Sequence, residues 1–398
     1  MTAPRCLLWV QHLLGIGHAR RAARLAQALA AEGVAVTVAQ GGFPVAGCDF
    51  GPARVVALPP VRAADVDFRV LLDAEGRPID AAWRARRAAA TADLAAGAAP
   101  DLVLLETYPF GRRAFRFELE PLLDALAARP DPPLVAASVR DILVAKDDKK
   151  KTRWMADEAR RRCDLVLVHG DPAVIPFGAS FPEVDRIADL IRYTGYVGPA
   201  RPARPPAPEG DGRGEVVVSV GGGAVGEPLL RAAAAARACS RRAGDAVWRL
   251  LAGPDLPDAA VAAVAGAAPA GVVVERARPD FPDLLARCQV SVSQAGYNTV
   301  VDLMAAGCRA VLVPFGRGAE TEQPTRARLL ADRGLASVVE EADLTPERLA
   351  AAVDAVLDRP APGAMPIASD GATHSARLLT AVLGAKMRRS HDASARLG

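Results

Sequence analysis

The chain has no run of roughly eighteen uninterrupted apolar residues, so no segment is expected to span a membrane. Net charge is nearly absent as well. The 49 Lys and Arg against 46 Asp and Glu leave +3 over 398 residues, too little to suggest a nucleic-acid partner. No CxxC pair occurs among the six cysteines, at 6, 48, 163, 239, 288 and 308. Most lie in apolar runs and read as reduced core thiols, which excludes a disulfide framework or a zinc site and fits a cytoplasmic protein. The opening Met1-Thr-Ala-Pro-Arg5 lacks a basic-then-apolar signal pattern and leads straight into an apolar strand. Two nucleotide motifs are missing too. GxGxxG fails at Arg20, and GxxxxGK[ST] is not found after the later glycine run.

What is present is globular: 51% hydrophobic and 24% charged residues, in a chain longer than one core usually holds, so two domains are expected. Short β runs alternate with Ala/Leu/Arg helices, the pattern of α/β folds with parallel sheets. Strands are expected at 6–10, 34–39, 102–105, 134–138, 165–168 and 193–197, then at 215–220, 247–252, 272–275, 289–293, 310–314 and 336–339. A Pro/Gly linker separates the two sets. The expected architecture is GT-B, two Rossmann-like domains facing across a cleft. The boundaries are an N-terminal domain 1–198, linker 199–214, C-terminal domain 215–384 and polar tail 385–398. The last helix, about 370–384, is expected to close the fold, with a crossing back to the first domain.

The most informative stretch is Ser291-Val-Ser-Gln294-Ala-Gly296-Tyr-Asn298-Thr299-Val-Val-Asp302 through Gly307, followed by the strand Arg309 to Phe315. A strand runs into a small-residue turn, and a helix is expected from Asn298 or Thr299, so backbone N–H groups face an anion at the helix start. Asp302 lies three residues after Thr299, within reach of ribose hydroxyls. The same spacing also suits a capping box, and the residues alone leave both open. Gly221, Gly222 and Gly223 follow a Val-rich strand and would let amides approach a pyrophosphate, or serve merely as a βα turn.

In the first half, Gly15-x-Gly17-His18-x-x-Arg21 makes a tight loop after the first strand. His18 at a helix start feels the positive end of the dipole, which favours a neutral ring able to take a proton from an acceptor hydroxyl; a loop or capping histidine is the alternative. Arg20, Arg21 and Arg24 oppose that dipole, which points to an anion nearby or to plain solvation. Glu106, Arg112, Arg140 and Asp141 sit at strand C-terminal ends, where they line a pocket for a polar or anionic acceptor or pair with one another. Phe115 and Phe117 with Arg112, Arg113 and Arg116 make a patch for membrane contact if the acceptor is lipid-linked. Asp65-Val-Asp67 is formally a metal-binding DxD but sits in loop-like sequence, and Lys146 to Arg153 is a charge run.

These blocks resemble family 28 glycosyltransferases and a bacterial group of predicted glycosyltransferases, over nearly the whole chain. The counterparts are Gly-x-Gly-His18, Gln294-Ala-Gly296, Thr299-Val-Val-Asp302, Val311-Leu-Val-Pro-Phe315 and Glu322-Gln323. The resemblance implies uracil recognition by the backbone of Phe281 and sugar recognition through Gln323. The sequence departs from the family at Asp302 for Glu, Gly223 for Ser and Glu322 for Gln, the last removing the ground for an N-acetylglucosamine preference.

The expected function is a metal-independent, cofactor-free inverting glycosyltransferase of the hexosyltransferase class, moving a sugar from a UDP-linked donor to a hydroxyl acceptor. The alternatives are a nucleotide-sugar hydrolase in which His18 activates water, and a non-catalytic nucleotide-sugar binding protein.

Overall fold

The computed structural model describes residues 3–13, 17–45, 47–64, 70–143, 148–198, 209–221, 225–316, 321–363 and 369–395, with side chains through 389. It divides into two compact units, one of Met1–Gly198 with Ala368–Gly398 and one of Pro199–Ile367.

Unit 1 is built on β1 (Arg5–Val10), β2 (Ala35–Gln40), β3 (Arg54–Ala57), the short antiparallel pair β4 (Arg62–Ala63) and β5 (Leu71–Leu72), β6 (Leu102–Glu106), β7 (Leu134–Arg140), β8 (Leu165–His169) and β9 (Ile191–Tyr193). Its helices are α1 (Gly17–Ala31), α2 (Ala81–Ala98), α3 (Arg116–Ala127) and α4 (Lys149–Arg162). Among the described residues the main sheet is parallel, in the order β3-β2-β1-β6-β7-β8-β9. Alternation along β1 sends Leu7 and Trp9 to a core with α3 and α4, and Cys6, Leu8 and Val10 to one with α1. Both faces are covered, so the strands read as unbroken apolar runs.

Unit 2 contains β10 (Val216–Ser219), β11 (Trp248–Ala252), β12 (Val272–Arg276), β13 (Val290–Ser293), β14 (Ala310–Leu312) and β15 (Ser337–Val338), in the parallel order β12-β11-β10-β13-β14-β15. Its helices are α5 (Glu227–Cys239), α6 (Asp258–Gly266), α7 (Phe281–Arg287), α8 (Tyr297–Ala306), α9 (Glu322–Asp332) and α10 (Pro346–Leu357). Local chemistry sets several ends. The Thr345 hydroxyl accepts from the Arg348 N–H at 3.2 Å with Pro346 at the first helical position, and Gly307 closes α8 at φ +63°, donating to the Leu303 carbonyl.

The final helix α11 (Gly371–Ala395) groups with unit 1, where Ala376, Leu379 and Leu383 bury against the α1 side of the sheet. It runs through 385–395, where a polar tail was expected. Two further differences concern strands. β3, a short and mostly exposed edge strand, was not anticipated, and the strand expected at 193–197 lies at Ile191–Tyr193. Of the linker, 199–208 falls outside the described residues, as does the DxD of 65–67. Asp211 is tied to unit 2 by ion pairs to Arg249 at 3.1 Å and Arg278 at 2.6 Å. Among the described residues no helix is long and apolar enough to cross a membrane.

Candidate functional site

Each sheet reverses its strand order once, between β1 and β6 in unit 1 and between β10 and β13 in unit 2. Ligands of open α/β sheets bind outside the strand C-termini at such a switch point. Part of each set of candidate residues falls there. His18 follows β1 and Glu106 ends β6, while Gly221 follows β10 and Gln294 to Gly296 follow β13.

In unit 1, the second residue of α1 meets the last residue of β6. His18 Nδ1 lies 2.9 Å from Glu106 Oε1. Arg21, one turn further along α1, reaches the same carboxylate through Nη2 and, at 3.2 Å, through Nε. The Thr107 hydroxyl donates to Oε1 at 2.8 Å and the Ser138 hydroxyl to Oε2 at 2.8 Å. Thr107 has φ +72°, a left-handed conformation costly for a β-branched residue, and it puts the hydroxyl 3.1 Å from the His18 ring as well. Of the helix-start arginines, Arg21 finds its anion in the chain's own Glu106, while Arg20 is exposed and Arg24 donates to the Val197 carbonyl at 3.3 Å, so Glu106 is engaged by His18 and Arg21.

Charge follows from this geometry. Burial pushes the Glu106 carboxyl up, but the Arg21 charge and the His18 and Arg21 hydrogen bonds together outweigh it and hold the group well below the ordinary carboxylate range, so it is ionised. His18 is pulled down to about 3, chiefly by burial and then by the Arg112 charge, against the opposing pull of Glu106. The histidine is thus neutral, with burial the largest cause. Two lone pairs cannot face each other at 2.9 Å, so Nδ1 carries the proton and Nε2 is the basic nitrogen. The side chain keeps 19% exposure.

The remaining unit 1 candidates divide. Arg112, at φ +59°, donates through Nε to the Gln11 carbonyl at 2.6 Å, and burial with two neighbouring guanidiniums takes its pKa down to about 10. Arg140 is half-buried, and a Cβ on Gly17 would stand 2.8 Å from its Nη2, so glycine there admits the guanidinium beside the start of α1. Asp141 does not line a pocket. It is fully buried, accepts from the Ile142 N–H at 2.9 Å and packs against Gly170. Gly15 falls outside the described residues. Phe115 is fully buried between Trp9 and Phe117, so the aromatic half of the proposed membrane patch is core.

In unit 2, α8 starts one or two residues earlier than expected, at Tyr297, with Gly296 as its N-cap. A capping box needs a hydroxyl or carboxylate there, so the Thr299–Asp302 pairing is not one. Thr299 is at the third helical position, its hydroxyl 3.8 Å from where a Gly296 Cβ would sit. Asn298 is exposed and Asp302 half-buried. Gly221 adopts φ +67°, and the Gln294 side-chain oxygen lies 3.7 Å from its would-be Cβ, which brings the two turns together. Gly222 and Gly223 fall outside the described residues. Phe281 is half-buried at the start of α7.

Arg326, which the motif reading missed, organises this end. It is fully buried, donates to the Ala295 carbonyl at 3.0 Å, pairs with Glu322 at 2.8 Å and lies over the Tyr297 ring at 5.8 Å. Glu322 is accordingly buried on Arg326 instead of reaching for a sugar. The oxygen of Gln323 accepts from the Phe315 N–H at 3.1 Å. The available signal was the i,i+4 spacing of Glu322 and Arg326 on a helix. Among the described residues no group of three or more His, Cys, Asp or Glu is placed to hold a metal ion.

Residues 217–379 match the glycosyltransferase family 28 C-terminal domain, a match that runs beyond unit 2 into the first turns of α11. The UDP-N-acetylglucosamine--N-acetylmuramyl-(pentapeptide) pyrophosphoryl-undecaprenol N-acetylglucosamine transferase of Rhodospirillum centenum is 38% identical over 110 residues. That covers 27% of this chain and 29% of the relative, so the chain spans under a third of the length of the curated protein it matches. Among solved structures, LpCGTa in complex with UDP aligns with a TM-score of 0.60 at 16% identity, over 96% of this chain and 99% of that one. MurG of Acinetobacter baumannii aligns at 0.56 and 15% identity, over 95% and 99%. At those identities the likeness is one of fold, and the fold is the two-domain α/β GT-B fold.

Proposed function

We propose, from a chain that is family 28-like and carries that family's C-terminal domain, an inverting, metal-independent glycosyltransferase acting in the cytoplasm on a UDP-linked sugar and a hydroxyl acceptor. The observation that carries the reading is the His18–Glu106 contact at 2.9 Å, at the switch point of unit 1. His18 Nε2 takes the proton of the acceptor hydroxyl while that oxygen attacks the anomeric carbon on the face opposite the nucleotide. Glu106 receives the Nδ1 proton in a hydrogen bond and stabilises the imidazolium that forms. A free-enzyme pKa of about 3 keeps the ring neutral and ready, and an anionic substrate beside it raises its basicity in the complex.

Unit 2 supplies the donor subsite. The first-turn N–H groups of α8 have no partner inside the helix, and with the Gly221 turn they suit the departing diphosphate, in the role a metal ion has elsewhere. Asp302 is assigned the ribose hydroxyls, Phe281 the base and the Gln323 amide the sugar. Relatives with a UDP-sugar in their printed name and a neighbour bound to UDP support the uridine choice.

The test is donor binding by thermal shift with UDP-, GDP-, dTDP- and CMP-sugars, then nucleotide release on each hit. Stabilisation by a UDP-sugar, with acceptor-dependent release lost in His18→Ala while donor affinity is kept, is the expected result. Rapid stoichiometric release without acceptor would make the protein a hydrolase. Binding with no release under any acceptor would make it a non-catalytic binder.

A further inference from the structure

The carboxylate that orients His18 is itself held by a chain of hydroxyls and a second histidine, all fully buried. Ser138 Oγ lies 2.8 Å from Glu106 Oε2 and 2.9 Å from His169 Nε2, and His169 Nδ1 lies 2.8 Å from Thr194 Oγ1. The four residues come from the C-terminal ends of neighbouring strands, with Glu106 and Ser138 register partners on β6 and β7, His169 closing β8 and Thr194 just past β9.

Proton positions along this chain are fixed by the ionised end. An ionised carboxylate accepts only, so the single Ser138 proton goes to Glu106 Oε2. The Ser138 oxygen is then an acceptor, which requires a proton on His169 Nε2. The bare His169 Nδ1 in turn accepts from the Thr194 hydroxyl. Burial, with the Arg21 charge adding to it, takes the His169 pKa down to about 3 and keeps this neutral tautomer in place. Every donor points one way, towards Glu106, and Glu106 in turn faces Nδ1 of His18.

We propose that Ser138 and His169 are positioning residues for the transfer reaction: they fix the Glu106 carboxylate as an acceptor aimed at His18, and so keep the lone pair of His18 on Nε2, where the substrate hydroxyl is. Neither residue touches substrate. The inference rests on His18 as the base, and its consequence for the His18 tautomer exists whether or not that base is ever used.

The experiment uses the full chain labelled with 15N-histidine, whose five histidines are few enough to assign by single substitutions, and reads each tautomer from long-range proton–nitrogen correlations. Wild type is expected to show His18 protonated on Nδ1 and His169 on Nε2. Ser138→Ala and His169→Phe are expected to mix the His18 tautomers and to lower kcat about tenfold, the worth of one hydrogen bond to a charged group, with the donor KM unchanged. His169→Gln, which returns an N–H near the Nε2 position, is expected to recover most of kcat.

Wild-type His18 protonated on Nε2 overturns the proposal. So does a pure Nδ1–H signal that survives Ser138→Ala, or a fall in kcat matched by an equal rise in donor KM with no rescue by Gln. If the wild type turns over no donor, the glycosyltransferase reading fails by itself, and the tautomer measurement still decides for or against the relay.

Discussion

His169 makes a clean prediction about pH and stability. The ring has no exposed surface, both nitrogens are engaged by hydroxyls, and burial takes its pKa from the usual 6.5 to about 3. In the unfolded chain the same ring takes a proton near pH 6.5. Between about pH 6.5 and 3 the unfolded state therefore binds more protons, and stability must fall as pH falls through that window and level off above it. For one histidine the loss between pH 7 and pH 5 is about 2 kcal/mol. His18, taken to the same pKa by burial but with a partly exposed side chain, adds at most as much again. The wild-type chain should lose about 2 to 4 kcal/mol over those two pH units through these rings. Urea unfolding followed by tryptophan emission reports it, since Trp9, Trp83 and Trp154 all lie in unit 1. His169→Gln lowers stability at every pH, but it should flatten the pH 7 to 5 slope by about 2 kcal/mol. A His169→Gln protein with the wild-type slope would refute the buried neutral imidazole.

Glu106→Gln removes the charge that stabilises the His18 imidazolium and should cut kcat roughly 10- to 150-fold, with donor affinity within about twofold, as read by nucleotide release and calorimetric titration. Arg326→Met leaves the Ala295 carbonyl without its donor and Glu322 without its buried partner. Stability should fall by about 3 kcal/mol or more and UDP affinity by over tenfold, and an unchanged Kd would separate Arg326 from the donor site. Gly41→Ala would push a methyl into Arg87 Nη2 and the Gln11 side-chain oxygen, in a guanidinium pinned by Glu118, the Pro59 carbonyl and Gln11. The expected cost is about 1–3 kcal/mol, measured as a lowered Tm.

Sequence alone determined the repeating local pattern. Unbroken apolar runs such as Leu7–Val10 and Val216–Val218 mark strands buried on both faces, because such a strand has no polar side to show. Gly307 marks the end of α8, because a left-handed C-cap disfavours any side chain. The helix beginning at Gly17 and His18 and the strand–helix–strand succession of 291–315 were legible for the same reason, since local spacing sets both.

Tertiary structure decided what lies across strands. Strand order puts β6 beside β1, and only that adjacency brings Glu106 to a histidine 88 residues away. The same adjacency turned Arg21 from a solvated helix residue into the partner of a buried carboxylate. Burial, which depends on everything packed around a group, is the largest cause of the neutral state of His18. Glu322 and Asp141 read as ligand-facing in one dimension. In three, one is buried on Arg326, and the other is fully buried behind Gly170, where one carboxylate oxygen accepts from the Ile142 N–H.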